Sequence, residues 1–143
     1  MNILNILLNR VYCFLTKVKN QSPFSGTLIL VAIVLNTLLV NLLTGYYILI
    51  DEPHKLNGLV YISVFIFILI LLYLYAIKIK AQIIEVKYST KFNFLVAGIF
   101  LFTLISFIWC ANINREKLSK EKSEIKIESK KGSLEGKIKK LFE

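Results

Sequence analysis

Three stretches of this chain, residues 24–50, 59–77 and 94–111, contain no Asp, Glu, Lys, Arg or His. A helix needs roughly 20 predominantly apolar residues to cross a hydrocarbon core of about 30 Å, and the three runs hold 27, 19 and 18 residues. A water-soluble fold would have to bury three helices that are apolar all round inside a chain of only 143 residues. Too little polar sequence remains to cover them. The expected fold class is therefore an all-α membrane protein with three transmembrane helices, at about 24–50, 58–77 and 93–112 within a region covering residues 24–112.

Residues 1–19 precede the first run and are read as an amphipathic helix lying in the membrane plane. Leu4, Leu7, Leu8, Val11, Tyr12 and Leu15 recur at i, i+3, i+4 spacing, while Asn2, Asn5, Asn9, Cys13 and Thr16 share the opposite face. That division suits the boundary between headgroups and acyl chains. Ile6 is the one violation of the pattern. The segment does not read as a cleaved signal, because Arg10 follows the short apolar stretch and no small-residue cleavage site appears. Ser22 and Pro23 are suited to start the first span, and Asn57 to cap the second.

Aromatic and basic residues mark the expected membrane boundaries: Arg10, Lys17, Tyr46, Tyr47, Tyr73, Tyr75, Lys78 and Trp109. The first connection is short, so spans one and two are expected to be antiparallel neighbours. In the second connection Ile83, Ile84 and Val86 are placed to touch the interface. Residues 113–143 form a lysine-rich hydrophilic tail, expected to be partly disordered, and from 115 onward it carries ten Lys/Arg and six Asp/Glu. Near its end Leu134, Ile138, Leu141 and Phe142 share one helical face, as a short surface helix would require.

Basic residues near the spans should face the cytoplasm. Arg10, Lys17, Lys19, Lys78, Lys80, Lys87 and Lys91 place the N-terminus inside and the first connection outside. Three spans then put the tail outside, where Lys55, Arg115 and the tail's first six lysines weigh eight against seven. The first helix usually dominates, which favours N-inside and C-outside.

The spans carry one polar stripe. Thr37, Asn41 and Thr44 fall at i, i+4, i+7 with Asn36 beside them. In lipid such groups hydrogen-bond across to neighbouring helices, so the stripe is expected to pack helix on helix, within the chain or between copies. No Asp, Glu, Lys, Arg or His lies within the runs, which argues against proton pumping, ion-coupled transport and voltage sensing. His54 is the sole histidine, and it is read as a solvated loop residue beside Asp51 and Glu52. No Cys/His cluster, nucleophile–base pair or phosphate-binding glycine loop is present, so no enzyme activity, cofactor or metal is expected.

The net charge of +9 lies outside the spans, where anionic lipid attracts it, and no nucleic-acid partner is expected. Richness in Asn, Ile and Lys points to an AT-rich bacterial genome, hence a multi-pass protein of the inner cell membrane. The expected function is that of an accessory or adaptor protein that binds a membrane partner and anionic lipid, alone or as a homo-oligomer. Two alternatives share the layout. One is a pore or lesion former, since the overall plan is similar to that of three-span phage holins. The other is an immunity protein against a membrane toxin.

Overall fold

The computed structural model describes residues 2–55, 57–85 and 91–142, and for residues 82, 85, 91 and 124–142 it describes the backbone alone. Its regular structure is α1 (Ile3–Lys17), α2 (Pro23–Leu49), α3 (Gly58–Lys78), the short α4 (Lys80–Glu85) and α5 (Lys91–Phe142). Three of these helices are long and apolar enough to cross a membrane: α2, α3 and the first part of α5.

The helix boundaries follow from local chemistry. Asn2 caps α1 by accepting from the Leu4 N–H, and Asn57 caps α3 by accepting from the Leu59 N–H. Pro23 occupies the first turn of α2, where its missing N–H costs nothing, but the Ser22 side chain makes no capping bond. α1 and α2 end alike. Lys19 and Asp51 adopt left-handed backbone (φ 56° and 61°) just past the helix. The next N–H then reaches back to the last turn, Asn20 to Leu15 O and Glu52 to Tyr47 O.

α2 is the central helix. It packs against α1, α3 and α5, whereas α3 and α5 do not pack on each other among the described residues. α2 and α3 are antiparallel, joined by the short first connection. α5 runs parallel to α2, since Asn41 meets Ser106 and Ile48 meets Lys117 further along both helices. One end of the bundle thus gathers the start of α2, the end of α3 and the start of α5. The first connection and the end of the α5 span share the other.

The apolar core lies toward the first of these ends, where Leu8, Val31, Ala32 and Ala76 are all fully buried. α1 contributes to that core: its apolar face is spent on the protein's own α2, α4 and α5. Ile6, which broke the periodic pattern, is buried, and Asn9, assigned to the polar face, is buried too. Asn9 donates its amide to Ile83 O at 2.7 Å and so anchors α4, whose Ile83 is buried instead of reaching an interface. Leu15 sits over Gly26, where an added Cβ would come within 3.0 Å of its Cδ1.

The tail, expected to be partly disordered, lies within α5, whose backbone is helical through Phe142. At 1.5 Å per residue its 52 residues span about 78 Å, far more than a bilayer core. Lys and Glu are good helix formers, and poverty in apolar residues denies a segment a core without denying it helix. Val86 and Lys87 of the second connection lie outside the described residues, as do the side chains of Leu134, Ile138, Leu141 and Phe142.

Candidate functional site

Polar residues of the first connection and of all three spanning helices converge at the end opposite α1. The first connection leaves α2 at Asp51 and turns inward instead of projecting into solvent. His54 is only 8% exposed, which corrects its reading as a solvated loop residue. Its ring lies flat on Tyr47, with centroids 4.6 Å apart and planes inclined by 6°. Nδ1 is 3.0 Å from Thr44 Oγ1 on α2, and Nε2 is 2.9 Å from the Tyr61 hydroxyl on α3. A neutral imidazole has one donor and one acceptor nitrogen, and a hydroxyl serves either. Both tautomers are therefore satisfied. Burial holds the His54 pKa below its ordinary value.

The backbone of His54 is held just as firmly. Its N–H donates to Asn114 Oδ1 at 2.7 Å, and its carbonyl accepts from Asn114 Nδ2 at 3.0 Å. A loop peptide buried here would otherwise leave two orphaned polar groups. One side chain of α5 thus completes a residue between α2 and α3, and all three spans meet at His54.

Ion pairs extend this latch outward. Lys117 donates to Ile48 O at 3.0 Å, satisfying a carbonyl in the last turn of α2, and pairs with Asp51 at 2.7 Å. The lysine holds the Asp51 carboxyl below the usual carboxylate range. Lys55 pairs with Glu121 at 2.6 Å. Exposed pairs of this kind contribute little stability, but they fix the connection against α5.

Deeper in the bundle, Asn41 donates from Nδ2 to Ser106 Oγ at 2.7 Å and to Thr103 O at 3.2 Å. Its Oδ1 is buried with no partner. The expected stripe is therefore divided. Asn41 and Thr44 turn into the bundle, whereas Thr37 donates back to Ile33 O of its own helix. Asn36 is half-buried, with its Oδ1 shielded and unpartnered.

The expected anchors are likewise distributed. Tyr46, Tyr73 and Trp109 are exposed on the outer surface, as are Lys17 and Lys78 at the ends of α1 and α3. Tyr47 is taken up by His54, and Arg10 is half-buried on α1. Tyr75 donates to Asn5 Oδ1 at 2.6 Å and accepts from Asn2 Nδ2 at 3.2 Å, which ties α1 to α3.

Sequence reasoning missed His54, Tyr61 and Asn114. A single polar residue at each position has no periodic signal, and the pairing of 54 with 114 is set by the parallel packing of α2 and α5. As arranged, the group can hold three spans in register and can respond to protonation of one imidazole. Among the described residues no group of three or more His, Cys, Asp or Glu is placed to hold a metal ion, and Cys13 and Cys110 are free thiols. No family model, curated protein or solved structure matches this chain.

Proposed function

We propose that this is a non-enzymatic, multi-pass cell-membrane protein that serves as an accessory or adaptor, joining a membrane partner to a surface rich in anionic lipid. One observation carries the reading: Asn41 and Thr44 bond inside the bundle, while the outer surface of the spans is largely apolar. Asn41 and Thr44 are 8% and 4% exposed, so neither is free to line a pore between copies. Only 11% of the apolar window of α3 is buried, which leaves most of that helix to lipid or to a partner's helix.

The inward-facing Asn41 and Thr44 count against the holin-like reading, whose mechanism needs those side chains facing other copies. In the proposed arrangement α1 settles at the headgroup boundary, with Arg10 and Lys17 toward anionic lipid. α5 carries the lysine-rich sequence well beyond the bilayer as a continuous helix for a partner to contact. The test is extraction at native expression level in mild detergent, followed by the mass and contents of the particle. Other proteins are expected in it at fixed ratio. A particle of this chain alone, together with collapse of membrane potential on induced expression, would return the weight to pore formation.

A further inference from the structure

Helix α2 is packed on three sides, by α1, α3 and α5, and one stripe of it is left over. Ile29, Ile33, Asn36, Val40 and Leu43 follow one another at alternating steps of four and three, the spacing by which one helix seats itself along another. Ile29, Ile33 and Leu43 are exposed, and Asn36 and Val40 are half-buried, so among the described residues no helix covers the stripe. The next position of the same spacing is Tyr47, which is taken up by His54.

Asn36 stands at the centre of this stripe and is also the middle residue of α2. Among the described residues its amide makes no hydrogen bond, and its Oδ1 is shielded without a partner. Asn41 shows what the same side chain does under cover: about 140° round the helix, it donates to Ser106 Oγ and Thr103 O of α5. In hydrocarbon neither water nor lipid tails can stand in for such a partner, and an unpaired amide there is costly. An amide carries donors and an acceptor together, so another Asn at the same depth satisfies it completely. A second copy related by a two-fold axis along the membrane normal supplies one, because that axis sets each residue of the stripe opposite its own equivalent. A turn about χ2, a torsion with a broad well, brings Oδ1 to the surface.

We infer that two copies of this chain pair through α2, with Ile29, Ile33, Val40 and Leu43 interleaved and the two Asn36 amides hydrogen-bonded to each other at the centre. The pair needs α2 to span a bilayer, and it needs no other protein. The outer face of α3 is left for the partner of the adaptor reading.

The test uses the full-length protein in vesicles of phosphatidylglycerol and phosphatidylcholine at a series of protein-to-lipid ratios. In a chain carrying Cys13→Ser and Cys110→Ala, dyes on Lys122→Cys, an exposed position away from the stripe, report association by energy transfer. Transfer is expected to rise with protein density as a two-body equilibrium requires. Asn36→Leu breaks no bond within the chain, and it should weaken the pair about tenfold, as loss of two hydrogen bonds between helices in lipid would. Thr37→Ala, whose hydroxyl is spent on its own helix, should leave association unchanged. On mild oxidation Ile33→Cys should cross-link two copies, whereas Leu42→Cys, exposed on another side of α2, should not. Transfer no greater than random crowding gives, or association untouched by Asn36→Leu, would overturn the pair. Cross-linking at Leu42→Cys in place of Ile33→Cys would overturn it as well. Capture of a different protein by Ile33→Cys in native membranes would give the stripe to another partner, and the inference would fall. The vesicles hold no other protein, so failure to co-purify a partner defeats the adaptor reading and leaves this one standing.

Discussion

At the scale of single residues, stability concentrates in His54 and Asn114. Replacing Asn114 by Leu leaves the His54 N–H and carbonyl buried without partners. Each orphaned group costs about 1–3 kcal/mol, so Asn114→Leu should destabilise the protein by about 2–4 kcal/mol in reversible unfolding from detergent micelles. Tyr61→Phe removes one of the ring's two partners and should cost less, on the order of 1–2 kcal/mol. His54 also makes the latch sensitive to pH. The ring's partners are two hydroxyls and a stacked phenol, and burial lowers its pKa below the value of about 6.5 that it has when unfolded. The unfolded chain then binds the proton more readily than the folded one. The stabilisation is complete above about pH 6.5 and is lost as pH falls through the lowered folded value. Thermal unfolding should therefore move to lower temperature between about pH 7.5 and about pH 5.5. In His54→Phe, which keeps a ring against Tyr47, the part of that shift due to this site should vanish. An unchanged shift would assign the pH dependence elsewhere.

Among the elements, α1 depends on close approach. Gly26 lets Leu15 lie directly over the α2 backbone, and any larger residue must displace it. Gly26→Ile should overpack the contact at a cost of about 1–3 kcal/mol and speed amide hydrogen exchange throughout α1. Leu15→Ala in the same chain should restore part of the protection, because it removes the atoms that collide. Exchange in α1 that stays slow would mean that its bonds to Ile83 and Tyr75 suffice to hold it. The same helix shows how far sequence carries. Its existence and most of its buried face were legible from i, i+3, i+4 spacing, since Leu7, Leu8, Val11 and Leu15 are buried, but what covers that face was not. Ile6 broke the pattern and Asn9 was assigned to the polar face, yet both are buried, Asn9 with its amide on the Ile83 carbonyl of α4. The three spans were legible because a long run without charge has few other uses in a short chain. Half of the polar stripe was legible as well. Period alone placed Thr37, Asn41 and Thr44 together, but Thr37 satisfies its hydroxyl on its own helix and needs no neighbour. For the tail, low hydropathy excludes a core and says little about helix. His54 was hidden because nothing around residue 54 announces a partner 60 residues away.

For the molecule as a whole, the contacts fix which segments share an end of the bundle. Lys55 pairs with Glu121, and Asp51 with Lys117, so the first connection and the early part of the α5 extension emerge together. Lys17 and Lys80 lie at the other end, beside the start of α2, where Lys80 sits 5.6 Å from the ring of Phe24. Charge counting could not settle orientation because the two sides are nearly balanced, but it does not have to decide the pairing. In a chain carrying Cys13→Ser and Cys110→Ala, single cysteines at Lys55, Glu121 and Lys80 would be exposed to a membrane-impermeant maleimide on intact cells. Lys55→Cys and Glu121→Cys should label alike, and Lys80→Cys should label only after permeabilisation if the N-terminal basic cluster sets the orientation. The inverse pattern would place the tail in the cytoplasm and leave the helix packing intact. Labelling of Lys55→Cys and Glu121→Cys from opposite sides would break the parallel arrangement of α2 and α5, and the His54–Asn114 latch would fall with it. The double variant Lys55→Cys with Glu121→Cys adds a stricter check, since its thiols should cross-link on mild oxidation within a single chain. A cross-link formed only between chains would mean that α5 latches onto the connection of a second copy, and the bundle would then be an intertwined dimer.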